Sequence, residues 1–298
     1  MTALRPPGAA GRHAWLVRAA MVAILACAVV PRVPLLVNAR ASFNSDEAVD
    51  ALVLQHLLHQ GEITLFNWDA RYYGIGENVL ALPFLAAGLD IPLAARLGSL
   101  VGFLALQVAV FLLGRRLHGT AAGLAGAALL AAFSPQLVMW SAFASGGYAL
   151  VVAWGTFTLL QYDRVRRQPS GGNLAALGFM IGFGLYIYEL YLVYLAALAA
   201  AFVLSSGPAH RLWRWLSRGL PGGLRTGPPA ATPRAGSPAA APRSGPPDAL
   251  RRPASMLSRG VLVGGVLFVL GFALGWAPKI ALLVSRAPLG AKPVSYTL

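Results

Sequence analysis

The residues best suited to chemistry lie between positions 38 and 78. Asp46, Glu47, Asp50, Glu62, Asp69 and Glu77 are six of the ten acidic residues in the chain. A carboxylate there can take a proton from an attacking hydroxyl or hold a substrate hydroxyl. Asp46 and Asp50 are four apart, so on a helix they share a face. Asn44 or Ser45 suits a helix cap, with Asp46 and Glu47 in the first turn, where the helix dipole favours negative charge. The pair therefore reads either as an ordinary helix start or as reactive carboxylates. After a helix stop at Gly61 come two patches, Asn67-Trp68-Asp69-Ala70-Arg71-Tyr72-Tyr73 and Gly74-Ile75-Gly76-Glu77. Ring faces from Trp68, Tyr72 and Tyr73, acceptors from Asp50, Asp69 and Glu77, and the Arg71 cation suit a sugar and a phosphate. They equally suit an aromatic belt at a membrane surface. Gly74-x-Gly76 is too short for a dinucleotide fingerprint, and no strand is expected before it. His56 and His59 lie three apart without a matching cluster and read as interfacial histidines; neither a metal nor a cofactor is expected.

The elements that must position these groups are membrane helices. The chain is 57% hydrophobic and 11% charged, with a mean hydropathy of +0.64. Soluble domains carry about 25% charged residues, so there are too few charges here for an aqueous skin. Apolar runs near the length of a spanning helix occur at about Trp15–Val37, Ala95–Leu113, Thr120–Phe133, Tyr148–Leu160, Leu174–Tyr186, Tyr191–Leu204 and Val261–Leu283. The fold class read from this is an all-α polytopic membrane protein of about seven transmembrane helices, with short helices in an outer loop. Arg18 and Arg32, near the ends of the first run, are expected to snorkel. Val79–Leu89 is too short to span and is expected to lie at the interface or re-enter. The single cysteine, Cys27, excludes an intramolecular disulfide. Ile24-Leu25-Ala26-Cys27 resembles a lipoprotein cleavage site, but the apolar run continues past it, so a retained helix with a buried cysteine is expected. Residues 1–204 read as a six-span domain carrying the outer loop 38–78. Residues 205–259, rich in Pro, Ala and Arg, read as a disordered cytoplasmic linker with a short amphipathic start at Leu212–Leu216. Residues 260–298 read as the seventh span and a short outer tail.

The formal net charge of +14 is topological rather than a nucleic-acid footprint. Arginines gather between apolar runs, with little lysine or aromatic interleaving, and no continuous phosphate-tracking surface is expected. With the N-terminus in the cytoplasm, seven spans place Arg115 and Arg116, Arg164 to Arg167 and the linker arginines inside, and the acidic loop outside. One orientation thus satisfies the positive-inside rule in every loop.

The order of short motifs resembles a known family. Arg32-Val33-Pro34-Leu35-Leu36 precedes Ser45-Asp46-Glu47-Ala48, and Leu82-Pro83 precedes Ala94-Ala95-Arg96-Leu97. Arg115-Arg116-Leu117-His118-Gly119 and Phe133-Ser134-Pro135 complete the pattern. Over about residues 15–165 this resembles the GT-C membrane glycosyltransferases of the protein mannosyltransferase and aminoarabinose transferase type, which take sugars from polyprenyl-phosphate carriers. The resemblance implies a transferase of the cell inner (plasma) membrane, moving a hexosyl or pentosyl group to a glycan, lipid or protein acceptor on the outer face. It implies Asp46 as the general base or the group that positions the acceptor, with Glu47 beside it as an assistant; the leaving phosphate needs a cation, and Arg71 and Arg96 are the outer-side candidates to bind it. Asp50, Trp68, Asp69, Tyr72, Tyr73 and Glu77 would line the substrate. The chain lacks the Lys-Pro-Pro run of some members and is shorter than most, which suits a truncated gene, a short member or half of a split enzyme. An inactive or partner-dependent member is the alternative. A lipid or solute transporter is disfavoured because ionisable groups are scarce in the spans.

Overall fold

A computed structural model of the chain describes residues 9–60, 64–68, 70–132, 134–144, 146–205 and 254–284. The expected linker centre, the segment Leu212–Leu216 and the tail beyond 284 lie outside these residues. Contacts divide the chain into one unit of residues 1–195 with 264–298 and a second of residues 196–263. The described parts of the second unit are the end of one helix and the beginning of another.

Helix α1 (Ala9–Val29) runs through a 3-10 turn (Val30–Arg32) into α2 (Val33–Val37). Pro31 and Pro34 remove backbone donors here, which accounts for the local tightening. Helix α3 (Ser45–Gln55) follows, extended by a π turn at His56–Gln60. Asn44 caps α3: its side chain accepts from the Glu47 N–H while the Glu47 carboxylate accepts from the Asn44 N–H. The expected stop, Gly61, lies outside the described residues. A two-stranded antiparallel hairpin, β1 (Phe66–Asn67) and β2 (Ala70–Gly74), interrupts the helical pattern. It corrects the all-helical reading of the outer loop, and it sets a strand directly before Gly74-x-Gly76. Alternating aromatic residues at so short a length leave little periodicity to read.

Then come α4 (Gly76–Ala86), α5 (Ile91–His118), α6 (Thr120–Ala132), α7 (Pro135–Ala142), α8 (Tyr148–Arg167), α9 (Gly171–Ile187), α10 (Leu192–Ser205), α11 (Ala254–Gly275) and α12 (Ala277–Val284). At 28 residues, α5 is roughly 42 Å long. Its last turn carries Arg115, Arg116 and His118, which suit the negative end of the helix dipole. Within the first unit α5 is the central element, packing against α3, α4, α6, α7 and α8. Ala28, Phe103, Leu106, Ala131, Ala149 and Ala153 form one buried cluster around it.

Two helices, His13–Val37 and Ile91–His118, are long and apolar enough to cross a membrane. A third span is present if α6 and α7, bent by 82°, count as one. Gly171–Ile187, Glu189–Leu204 and Leu262–Gly275 are shorter apolar helices. The described residues of the seven expected runs are helical apart from a break at Trp276, but by length and composition two or three qualify as spans among the described residues. Two further expectations are corrected. Arg32 does not snorkel: it is fully buried, donating to Ser141 Oγ at 2.7 Å and Ala131 O at 3.0 Å, with its guanidinium 3.8 Å from the centre of the Phe103 ring. The proline-bent segment turns it into the bundle, where neighbouring helices supply acceptors. Cys27, expected to be buried, is exposed.

Helices α9 and α11 meet through small residues. Gly178 and Gly182 face the α11 backbone, and Gly271 and Gly275 face α9; a Cβ on Gly275 would stand 2.7 Å from the Phe183 nitrogen. Spacing small residues four apart lets two apolar helices approach backbone to backbone, a packing mode suited to lipid.

Candidate functional site

The capping box on α3 separates Asp46 from Glu47. At N3, Glu47 is tied back to Asn44 and points into the protein, where it is fully buried. Asp46, one position earlier and about 100° around the helix, is exposed. It lines a cavity of about 230 Å³ together with Val49, Trp68, Ala70, Tyr72, Tyr73, Gly146, Tyr148 and Tyr188.

Glu47 pairs with Arg96 on α5. Arg96 Nε donates to Oε1 at 2.7 Å and Nη2 to Oε2 at 2.8 Å, and both side chains are fully buried. The remaining Arg96 hydrogens go to Leu35 O, Ser42 Oγ and Ser42 O. Five N–H groups meet five acceptors, so this arrangement leaves Arg96 no donor for a phosphate. The Ala144 N–H also donates to Glu47 Oε1, at 3.2 Å. One ion pair thus joins the end of α2, the cap of α3, α5 and the segment after α7.

Under the cavity lies a polar cluster. Asp50 is buried, and its Oδ1 accepts from Asn67 Nδ2. Asn67 Nδ2 also donates to Tyr73 Oη at 2.6 Å, and Asn78 Nδ2 donates to the Asp50 carbonyl at 3.2 Å. Glu77 is buried on α4; it accepts from Ser99 Oγ, and its Oε2 accepts from the Gly147 N–H at 2.6 Å. Burial pushes the Asp50 carboxyl up to about 8, with the negative Glu77 adding to the effect against hydrogen bonds from Gly146, Asn67 and Asn78. Burial likewise raises Glu77 to about 7, opposed by Ser99 and Gly147. Desolvation outweighs the hydrogen bonds at both carboxyls.

Gly146 and Gly147 adopt φ of +90° and +72°, a left-handed conformation that favours glycine. The two place an amide on Glu77 and bring the backbone under the Tyr73 ring. Around the cavity the rings of Tyr72, Tyr73, Tyr148 and Tyr188 lie with neighbouring centroids 5.1 to 5.8 Å apart. Trp140 stacks on Tyr148, and His56 meets the edge of Trp68. The hairpin is held to the end of α9 by a Tyr73–Tyr188 bridge and by Tyr186 Oη donating to Leu65 O at 2.7 Å.

Of the residues singled out from the sequence, Asp46, Trp68, Tyr72 and Tyr73 line one cavity, and Asp50 and Glu77 lie buried near it. Glu47 and Arg96 bind each other. Arg71 is on β2; Asp69 lies outside the described residues. Tyr148, Tyr188 and the Gly146-Gly147 turn were not foreseen. Tyr188 sits in a short turn between two apolar runs and Gly146-Gly147 directly before one, positions that read only as punctuation.

Residues 80–220 match the family model described as dolichyl-phosphate-mannose-protein mannosyltransferase. The chain is therefore a membrane protein carrying a GT-C glycosyltransferase-like segment. That segment contains Arg96, Tyr148 and Tyr188, whereas Asp46, Glu47, Asp50 and the hairpin precede it. No curated protein and no solved structure matches the chain.

Proposed function

We propose that the chain is a membrane glycosyltransferase that moves a sugar from a polyprenyl-phosphate carrier to a hydroxyl acceptor on the outer face of the plasma membrane. The observation that carries this reading is the exposed Asp46 carboxylate on the wall of an aromatic cavity. Aromatic faces suit the C–H faces of a sugar ring, and the carboxylate suits a hydroxyl. In the reaction, an Asp46 oxygen takes the acceptor's hydroxyl proton as the acceptor oxygen bonds to the anomeric carbon. The bond from that carbon to the phosphate oxygen breaks, and the phosphate leaves with the electron pair. Arg71, on β2 beside Tyr72 and Tyr73, supplies the cation for the leaving group. Arg96, with its donors occupied, acts with Glu47 to position α3.

In this reading α1, α5, α6, α8, α9, α10 and α11 are seven spans, with the N-terminus and residues 205–259 in the cytoplasm. The supporting argument is the agreement of the arginine-rich loops with one orientation. Transfer from a polyprenyl-phosphate sugar in membranes tests the activity: the wild type is expected to transfer and Asp46→Asn to lose it at equal expression. Near-full activity of Asp46→Asn would place the base elsewhere. Cysteines introduced at Ser42 and Ser237 in a Cys27-free background test the orientation; labelling of position 237 in intact cells by an impermeant reagent would overturn it.

A further inference from the structure

The Asn67 side chain makes three hydrogen bonds, and together they fix its orientation. Its Oδ1 accepts from the Trp68 backbone N–H at 2.8 Å. A backbone N–H only donates, so the atom facing it must be the amide oxygen. The two Nδ2 hydrogens then go to Asp50 Oδ1 and to Tyr73 Oη, the latter at 2.6 Å. Both amide hydrogens are committed, and the nitrogen has no lone pair to accept with.

The consequence falls on Tyr73. Its phenol oxygen receives a hydrogen from Asn67, so its own hydrogen must point elsewhere. Among the described residues none accepts it in a hydrogen bond, and Tyr73 is one of the residues that line the cavity. The ring is held by Tyr72 and Tyr188 and by the Gly146 backbone. Burial and the surrounding negative groups, Asp50 first, hold the phenol above its ordinary range, so it remains a donor and is no base.

We propose that Tyr73 donates its phenol hydrogen to an oxygen of the sugar in the cavity, and that Asn67 and Asp50 are positioning residues that orient it for that contact. The identity of the ligand rests on the transferase reading; the orientation of the phenol does not. The cavity then offers an acceptor, Asp46, and a fixed donor, Tyr73, between aromatic faces. That combination fits a ring bearing hydroxyls, each able to donate and accept.

Two measurements on the full chain in nanodiscs separate the two parts. The first needs no ligand: infrared difference spectra of tyrosine ring-labelled protein, wild type against Tyr73→Phe, isolate the Tyr73 C–O stretch. The expected band is that of a phenol that accepts a hydrogen bond, changing on Asn67→Ala. A band of a phenol that donates only, indifferent to Asn67→Ala, overturns the proposal. The second follows binding of polyprenyl-phosphate mannose by tryptophan fluorescence, since Trp68 lines the cavity. Loss of one neutral hydrogen bond in Tyr73→Phe is expected to raise Kd roughly 3- to 10-fold. Asn67→Ala should weaken binding in the wild type and have little effect in the Tyr73→Phe background, because it acts through the missing hydroxyl. An unchanged Kd in Tyr73→Phe, or fully additive effects, overturns the proposal. Tyr73→Phe keeps the ring and its packing, so both measurements stand on it alone if Asn67→Ala does not fold. A wild type that does not bind the probe removes the donor assignment, and the phenol assignment is then decided by the infrared band.

Discussion

Asp46 and Glu47 adjoin in the chain, yet one belongs to a cavity wall and the other to a buried clamp. Around Asp46 the partners are aromatic rings, and the carboxylate stands exposed. Around Glu47 every acceptor position is occupied: Arg96 takes both oxygens, and the Asn44 and Ala144 amides share them. Similar side chains in one turn thus divide between an open cavity wall and a buried ion pair according to the helix face they occupy. A capped N3 carboxylate is drawn inward by its own backbone contact, whereas its predecessor is left facing out. The clamp holds the segments that carry the cavity.

Breaking the clamp is expected to have the largest effect. Glu47→Ala or Arg96→Ala leaves a buried charge without its partner, a cost of about 3–5 kcal/mol. Neither variant should give a stable fold, as read by thermal unfolding in detergent. A wild-type unfolding midpoint for either would show that the clamp carries little. Asp46→Asn should do the opposite: transfer drops about 10²–10⁴-fold, while the unfolding midpoint stays put. Loss of both fold and activity in Asp46→Asn would erase the distinction between the two carboxylates.

The polar cluster beneath the cavity sharpens the comparison through pH. Carboxyls in an unfolded chain titrate near 4, whereas Asp50 and Glu77 in the fold titrate at about 8 and about 7. Between those values the folded state holds more protons than the unfolded one. Stability is therefore full below about pH 4, falls as pH rises towards 7 and 8, and is level above. The slope is at most about 1.4 kcal/mol per pH unit for each group. Unfolding midpoints across this range should flatten in Asp50→Asn and in Glu77→Gln. A wild-type profile already flat would mean that both groups titrate normally.

Gly147→Ala should have a smaller effect. A Cβ there would lie 3.9 Å from Glu77 Oε2, so there is room, and the cost is that of a left-handed backbone, about 1–2 kcal/mol. A midpoint unchanged from wild type would show that the turn relaxes. Arg40→Ala is the smallest change. Its pair with Asp90 is bidentate but the arginine is 80% exposed, and surface pairs contribute little. Its unfolding and transfer should match wild type, in contrast with the buried pair at Arg96.

The local features were largely legible in the sequence. The cap at Asn44 or Ser45, the first-turn acids and the helices that follow each apolar run all depend on neighbours in the chain. Span count was less legible, because hydropathy reports apolar length while the bend between α6 and α7 and the break at Trp276 depend on packing. The hairpin escaped notice because its first strand has two residues and no period to display.

Composition and short-range spacing suffice to read this chain as a membrane protein with an acidic, aromatic segment between its first two long apolar helices. They do not determine which carboxylate faces the cavity, or that Arg96 already has its acceptors. Those outcomes join residues far apart in the chain: Arg96 with Leu35 and Ser42, Glu77 with Gly147, Tyr73 with Tyr188. A buried polar group takes whichever partner the assembled fold brings within reach, since leaving it unpaired is costly. Only the tertiary structure decides what that partner is.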